Sequence, residues 1–299
     1  MVESTVSTSV LVVSAAAKSK FSQLVDRPMK NALGVNTRSA FFFVSLFSTV
    51  LFTPSLSLAD SCRATDLKRG EGERVAVKTV YDGDTLTLKD GRKIRLIGVN
   101  TPERGRRGQP DEILARAAKQ AVQDAVHHDN AQQRDVRLYV GREQGDSYGR
   151  QLGHLFVDGQ SLSAMLLSNG LAWHVVVPPN IGLASCFAAA EQRAKRQGKG
   201  LWQNSLSQSV TTKNIKQGGY QRVRGIVRKV SFDKAWWISF DDGFVAVIYP
   251  ENQHYFEQST VSSWQGKQLE IEGWVYGAQY RGKRQWRIKL ATPFGLSVL

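Results

Sequence analysis

The chain contains little cysteine and no long hydrophobic run. Only 2 cysteines occur in 299 residues and no CxxC pair is present, which excludes a disulfide-rich scaffold and a four-thiolate zinc site. The most apolar segment, residues 40–52, is shorter than the roughly 20 residues that a membrane-spanning helix needs. Acidic residues are also scarce, 26 against 40 lysines and arginines, and the net charge of +14 predicts a polyanionic partner. The remaining composition, with 41% hydrophobic and 22% charged residues, is globular, and the length predicts two domains.

Residues 40–52 have the features of a secretory signal peptide. Lys30 and Arg38 precede them, and the small-residue pattern Ser57-Leu58-Ala59 follows. We therefore predict a signal peptide over residues 1–59, with an uncleaved membrane anchor as the alternative. Export predicts a periplasmic or secreted protein that has no stable membrane insertion after cleavage.

Two further expectations follow from this signal. A start at Met29 instead of Met1 would give the signal peptide a more usual length. Export would also place the mature chain in an oxidising compartment, where Cys62 and Cys186 are candidates for one disulfide. Two unpaired buried thiols are the alternative.

Residues 60–204 predict a small β-barrel with helices packed outside it. Hydrophobic residues alternate on both sides of the Asp90-Gly91 turn, which indicates a hairpin. Other segments show either this alternation or a helical spacing, and together they predict a five-stranded OB-like barrel with three helices. The strands are expected within residues 75–99, 136–140 and 151–157, and the helices within residues 110–128, 160–168 and 185–197.

Residues 219–299 predict a second five-stranded OB-like barrel, so the fold class is mainly β with some α. A polar segment without aromatic residues, 205–218, is predicted to be the linker. Five alternating segments follow it, with a helix expected near residues 251–258, between the third and fourth strands. Aromatic and basic residues are concentrated in this part of the chain, which suits binding of single-stranded nucleic acid. A purely structural or protein-binding barrel is the alternative.

The densest group of polar residues lies around the predicted hairpin. Asp82-Gly83-Asp84-Thr85 stands at a strand start, Arg95 lies on the return strand, and Asn100-Thr101-Pro102-Glu103 follows where that strand ends. These groups can gather at one mouth of the barrel. Their carboxylate, amide and main-chain oxygens suit a hard cation such as calcium, and an arginine beside it suits a phosphodiester, because a guanidinium binds two phosphate oxygens in a fixed fork. Taken singly, each residue has an alternative role in a turn or a surface ion pair.

Four separated segments share a characteristic order and spacing: VYDGDT at 80–85, IRLIGVNTPE at 94–103, DSYGR at 146–150 and GKGLW at 198–202. On these motifs the chain, from about residue 74 to residue 202, resembles the staphylococcal nuclease (thermonuclease) family. The resemblance implies a five-stranded OB-like barrel with three helices, which agrees with the strand pattern. It also implies a metal-dependent phosphodiesterase activity.

The resemblance assigns one calcium ion to three residues. It implies that Asp84 binds the ion through its carboxylate, Asn100 through its side-chain oxygen and Thr101 through its main-chain carbonyl. The family usually has an aspartate where Asn100 stands, so the site loses one formal negative charge. We therefore expect weaker calcium binding, or use of another divalent metal, rather than loss of activity.

Catalytic and substrate-binding roles are implied in the same way. Arg95 and Arg150 correspond to the two catalytic arginines of the family, and Glu103 corresponds to the general base that activates water. Tyr148 matches a tyrosine that contacts the nucleotide, with a role as a turn residue as the alternative. The tyrosines that the family prototype has near residues 173–178 are absent, so the base preference and nucleotide affinity of the family do not carry over to this chain.

Three arginines follow the general base in a glycine-containing loop. Arg104, Arg106 and Arg107 are predicted to hold the substrate backbone, because they lie beside the phosphate site; a solvated loop is the alternative.

These observations predict an exported, calcium-dependent, sugar-nonspecific endonuclease that hydrolyses phosphodiester bonds in DNA and RNA, with a preference for single strands. The main alternative is a catalytically impaired nucleic-acid-binding protein with tandem OB-like barrels, motivated by Asn100 and the missing tyrosines. Retention of Arg95, Glu103 and Arg150 favours the enzyme. A third interpretation, an extracellular adhesion or scaffold protein, predicts binding without metal dependence.

Overall fold

The computed structural model describes residues 62–67, 70–105, 108–127, 134–203, 206 and 208–299, all of which fall within one compact unit, Ser55–Leu299. The predicted signal peptide and its alternative start at Met29 lie outside the described residues. In the described part of the chain, every helix is too short or too polar to cross a membrane.

The first half of this unit is a curled antiparallel and parallel sheet with three helices. Seven of its strands hydrogen-bond in the order β1-β6-β7-β4-β3-β2, with β8 beside β7, and the short strands β5 and β9 pair separately. The strands are β1 Glu73–Arg74, β2 Val77–Val80, β3 Thr85–Leu88, β4 Lys93–Leu96, β5 Val99–Asn100, β6 Val136–Gly145, β7 Gln151–Val157, β8 Gln160–Ser161 and β9 Trp173–His174. The helices are α1 Ala115–Val126, α2 Leu162–Ser168 and α3 Ala184–Arg196.

Helix α1 begins later than the sequence predicts. Its buried residues Ala118, Val122 and Val126 recur every four residues and join the core.

The residues just before the helix are not helical. Leu114 has a positive φ of 69°, which a right-handed helix does not allow. The carboxylates of Asp111 and Glu112 accept hydrogen bonds from the backbone amides of Gly105 and Glu103. These bonds hold the loop that carries Glu103 against the start of the helix.

The second half is a closed barrel. Strands β11, β12, β13, β15 and β14 form a ring in that order, closed by the β11–β14 pairing, with β10 and β16 at its margins. The strands are β10 Val210–Thr211, β11 Gly219–Phe232, β12 Trp236–Phe240, β13 Val245–Ile248, β14 Gln268–Tyr280, β15 Lys283–Lys289 and β16 Leu296–Val298. A 3₁₀ helix, Pro250–Tyr255, and helix α4, Gln258–Ser262, lie between β13 and β14, which are the third and fourth of these five strands in chain order.

The predicted fold class of two OB-like barrels is confirmed, with one difference in the segment between them. Part of the predicted linker is folded: β10 pairs with β11, and Ile215 is buried in the second core. One apolar residue is enough to anchor this polar segment to the barrel, because β11 offers an open edge with which the segment can pair.

Cys62 lies next to Cys186 in the first core. Their Cα atoms are 5.7 Å apart, so the amino-terminal described segment lies against α3. Cys62 is fully buried.

A cluster of charged residues joins the two barrels. The ammonium group of Lys195 on α3 lies 2.9 Å from the carboxylate of Glu191 and 2.8 Å from that of Glu272 on β14. Arg222 on β11 lies 3.2 Å from the same Glu272 carboxylate, and both cations pack over the ring of Trp202, at 4.3 Å for Lys195 and 5.1 Å for Arg222. Each charge is therefore paired, as buried ions must be to offset their desolvation.

His174 is buried beside this cluster. Its ring packs edge-on against Phe294 of the second barrel, with centroids 5.5 Å apart. Burial, together with the positive charge of Lys195, lowers the pKa of His174 to about 4. The folded protein therefore holds a neutral imidazole where the unfolded chain would carry a proton below pH 6.5.

We expect this histidine to destabilise the fold in acid. Because its pKa is lower in the folded than in the unfolded state, stability is lost as the pH falls from about 6.5 to about 4. The loss should reach about 3 kcal/mol at pH 4, and the variant His174→Phe should lack it. Urea unfolding of both proteins at pH 7 and pH 4 measures this difference and cancels contributions from other groups. Equal losses in both proteins would contradict the prediction.

Candidate active site

A tight turn between β2 and β3 places the first acidic residue of the site. The side chain of Asp82 accepts hydrogen bonds from the backbone amides of Asp84, at 3.1 Å, and Thr85, at 2.7 Å. Gly83 between them has no room for a side chain, since a Cβ there would lie 2.6 Å from the side chain of Thr101. The turn therefore directs Asp84 into the protein, where it is 3% exposed.

Asp84 is the centre of a polar cluster that joins three strands. Its Oδ2 atom accepts hydrogen bonds from the Thr101 amide, at 2.8 Å, and the Thr101 hydroxyl, at 2.9 Å, and it forms an ion pair with Arg95 on β4. The same guanidinium donates a hydrogen bond of 3.1 Å to the side-chain oxygen of Asn100 on β5. Arg95 thus lies between the two side chains that the sequence predicts as metal ligands.

Two buried carboxylates, those of Asp82 and Asp84, lie close together in this site. Burial, reinforced by the negative charge of Asp84, raises the pKa of Asp82 to about 6, and the charge of Glu103 adds to this effect. Two adjacent carboxylates with a third nearby create a negative field that favours a cation.

Arg150 reaches the site from the turn between β6 and β7. Asp146 holds this turn by accepting hydrogen bonds from the backbone amides of Tyr148, at 2.9 Å, and Arg150, at 3.0 Å. The second oxygen of Asp146 accepts from Arg150 Nε at 2.7 Å, and Arg150 Nη1 donates to the Thr85 hydroxyl at 3.2 Å. The guanidinium is thereby fixed in the direction of β3, 5.3 Å from the ring centroid of Tyr148.

These residues meet at an open cleft with a volume of about 710 Å³. Of the residues predicted from sequence, the cleft brings together Arg95, Asn100, Glu103, Tyr148 and Arg150. A phosphate in the cleft would have two guanidinium groups within its reach, one from β4 and one from the turn before β7, with an exposed carboxylate beside them.

Other predicted residues lie elsewhere. Asp84 and Thr101 are buried behind the cleft wall. Arg104 forms a salt bridge of 2.9 Å with Asp111, so its guanidinium faces the start of α1 and does not line the cleft. Arg106 and Arg107 lie outside the described residues.

The oxygen donors present are those a hard cation requires, but carboxylates are few. Asp84 supplies a carboxylate, Asn100 an amide and Thr101 a main-chain carbonyl, and Arg95 contacts the first two. Within the described residues, no group of three or more histidine, cysteine, aspartate and glutamate side chains could hold a metal ion.

The cleft also contains residues that were not predicted as site residues. They are Tyr81, Thr85, Thr87, Lys93 and Trp274. Trp274 is notable because it belongs to β14 of the second barrel. Alternation along β14 places Trp274 on the outer face of that strand, but only the packing of the barrels shows that this face borders the cleft.

Comparisons with known proteins agree with this geometry. Residues 93–204 match the family model described as staphylococcal nuclease homologue. The chain is 33% identical over 143 residues to a thermonuclease of Staphylococcus intermedius, covering 47% of this chain and 80% of that protein. It is 28% identical over 145 residues to a thermonuclease of Staphylococcus hyicus, covering 48% and 83%, and 30% identical over 135 residues to endonuclease YncB of Bacillus subtilis, covering 44% and 62%. The second barrel lies outside the residues that the family model matches.

Proposed function

The chain belongs to the staphylococcal nuclease family, and we propose that it is an exported, calcium-dependent nuclease that hydrolyses phosphodiester bonds in both DNA and RNA. The observation that carries this proposal is the convergence of Arg95, Glu103 and Arg150 on one cleft, although they come from two separate segments, 94–103 and 146–150. A protein that only binds nucleic acid would need the two cations but not the carboxylate. The proposed site roles of these residues follow from this arrangement.

The cleft residues supply the groups that phosphodiester hydrolysis needs. The two guanidinium groups hold the phosphate and stabilise the additional negative charge that develops when the phosphorus becomes five-coordinate. Glu103 is exposed at the cleft and accepts a proton from the attacking water. The new bond joins the water oxygen to phosphorus, the bond from phosphorus to the leaving sugar oxygen breaks, and this oxygen takes a proton from solvent in the open cleft to leave as an alcohol.

Asp84, Asn100 and Thr101 would hold the calcium ion. All three offer oxygen atoms, and the excess of buried negative charge around Asp82 and Asp84 is the charge that a cation would neutralise. When bound, a divalent cation lowers the repulsion between the phosphate and an incoming nucleophile.

A calcium titration tests both the activity and the role of Asn100. We expect the full chain to cleave single-stranded DNA with calcium and not with chelator. Asn100→Asp adds a formal charge to the ligands, so it should lower the calcium concentration for half-maximal activity by about tenfold. Asn214→Asp, an exposed change on the second barrel, should leave that concentration unchanged.

Three outcomes would contradict the proposal. Cleavage that continues unchanged in chelator would show that the reaction does not need a metal ion. Nucleic-acid binding without cleavage under any metal would favour the alternative, a catalytically impaired binding protein with tandem barrels. Binding to neither DNA nor RNA would leave an adhesion or scaffold role.

Export is part of the proposal and rests on residues 1–59, outside the described part of the chain. The proximity of Cys62 and Cys186 supports it, because a disulfide persists in an oxidising compartment. We propose that these cysteines are bridged in the exported protein, in the periplasm or outside the cell.

A further inference from the structure

We propose that Trp274 of the second barrel is a substrate-binding residue of the nuclease cleft, on which one base of a single-stranded nucleic acid stacks. The proposal deepens the nuclease function and rests on it. It begins from the position of Trp274, which lines the same cleft as Arg95 and Arg150 although it comes from the other barrel.

Trp274 is the largest apolar side chain that this cleft exposes. Its residue is 47% exposed, which is unusual for tryptophan, and the neighbouring lining residues are mainly cationic or polar. An exposed aromatic surface within a polar site indicates a ligand that covers it. The ligand must combine negative charge, for the arginines, with a flat apolar face, for the indole. A nucleotide has both features in one molecule.

Two further aromatic rings hold the indole of Trp274 in place. Tyr220 lies opposite Trp274 in the β11–β14 register, and the two rings pack edge-on with centroids 5.0 Å apart. Tyr220 in turn packs against Trp173 of the first barrel, with centroids 5.3 Å apart. The three rings form a continuous support from one barrel to the other. Trp274 is therefore preorganised, which reduces the entropy that stacking would cost.

The face of β14 beyond Trp274 continues with similar chemistry. Alternation places Tyr276 and Tyr280 on the same face, and successive positions on one face are about 6.8 Å apart along a strand. Arg287 lies opposite Tyr276 in the β14–β15 register, and its guanidinium is 6.0 Å from the Tyr280 ring centroid. Aromatic rings with interleaved cations are typical of surfaces that bind single strands.

This geometry favours single strands over duplexes. In a duplex each base face is covered by its neighbours, so only an unpaired or unstacked base can contact the indole. Stacking requires no hydrogen bonds to the base, so it is compatible with cleavage that ignores sequence and sugar.

The test compares Trp274→Ala, Trp274→Phe and a control variant in the full chain. Phe232→Ala is the control, because it also removes a partly exposed aromatic ring of the second barrel. We expect Trp274→Ala to raise KM for an eight-nucleotide single-stranded DNA, and its Kd measured in chelator, by about 5- to 100-fold. Its kcat should change less, Trp274→Phe should recover most of the affinity, and Phe232→Ala should match wild type.

An oligonucleotide series separates stacking from a merely structural role. One nucleotide at a time is replaced by an abasic residue, which keeps the phosphate and removes the base. Wild type should lose affinity at one particular position, and Trp274→Ala should lose no further affinity there, since the interaction is already absent. Duplex DNA should be bound by both proteins with the same affinity.

The outcomes that would contradict the stacking role of Trp274 differ from those that would contradict the nuclease function. If Trp274→Ala keeps wild-type KM and Kd, or if the abasic penalties are the same in both proteins, Trp274 does not bind a base, while cleavage by wild type leaves the nuclease function intact. If wild type neither binds nor cleaves nucleic acid, the proposed function itself is wrong.

Discussion

Replacing Arg150 by alanine is expected to lower kcat for DNA cleavage by about 10²- to 10³-fold, the effect of removing one preorganised donor from a developing anion. Arg150 is a suitable residue for substitution, because its loss should affect catalysis without disturbing the core. Its guanidinium is fixed by Asp146 and the Thr85 hydroxyl, and it lies in the cleft instead of the core. Arg95 is a less suitable target, because its removal would also leave the buried carboxylate of Asp84 without its ion pair.

Two further variants make the Arg150 result interpretable. Arg150→Lys keeps the charge but loses the planar fork, so it should recover only a small part of kcat. Arg142→Ala removes an exposed arginine of β6 that does not line the cleft, and it should leave kcat and KM unchanged. Initial rates at saturating calcium and substrate give these values. A kcat for Arg150→Ala within threefold of wild type would show that the arginine has no catalytic role.

Removing the bridge between Cys62 and Cys186 is expected to lower the free energy of unfolding by about 4 to 5 kcal/mol, because the sequence separation of 124 makes the closed loop long. The variant replaces both cysteines by serine. Urea unfolding of the variant and of the wild type measures the difference. Wild type in reductant should unfold like the variant, which separates loss of the bridge from any effect of the serines.

The bridge should matter for stability and little for catalysis. Cys62 is buried in the first core, and neither cysteine lines the cleft. The double variant should therefore retain the wild-type kcat at temperatures where it stays folded. A stability difference below 1 kcal/mol would mean that the unfolded chain gains little freedom when the bridge is absent, contrary to the chain-entropy account.

The sequence predicted those parts of the molecule that depend on local pattern. Strand alternation and the Asp90-Gly91 turn gave the two barrels, because burial on one face requires a period of two. Arg95 and Glu103 could be expected to lie near each other, since they lie on one hairpin strand and its exit, and both line the cleft. The start of α1 was wrong by several residues, because Leu114 has a left-handed backbone conformation that the apolar spacing does not reveal.

Contacts between the barrels could not be predicted at all. Alternation shows that Trp274 and Tyr276 share the outer face of β14, but it does not show which element that face meets. That depends on contacts such as the pairing of Lys195 with Glu272, residues far apart in the chain. The pairing of Arg104 with Asp111 was not predicted either, because a contact within an irregular loop leaves no periodic signal.

The charged contact between Lys195 and Glu272 determines how wide the cleft can be. An apolar interface tolerates sliding, because apolar contacts have no preferred direction, whereas a paired ammonium and carboxylate tolerate only small displacements. A sideways displacement of one barrel would leave both charges unpaired and shielded from water. The geometry of this ion pair therefore restricts the distance between the indole of Trp274 and the two guanidinium groups. A polymer that does not fit this distance must distort in order to bind.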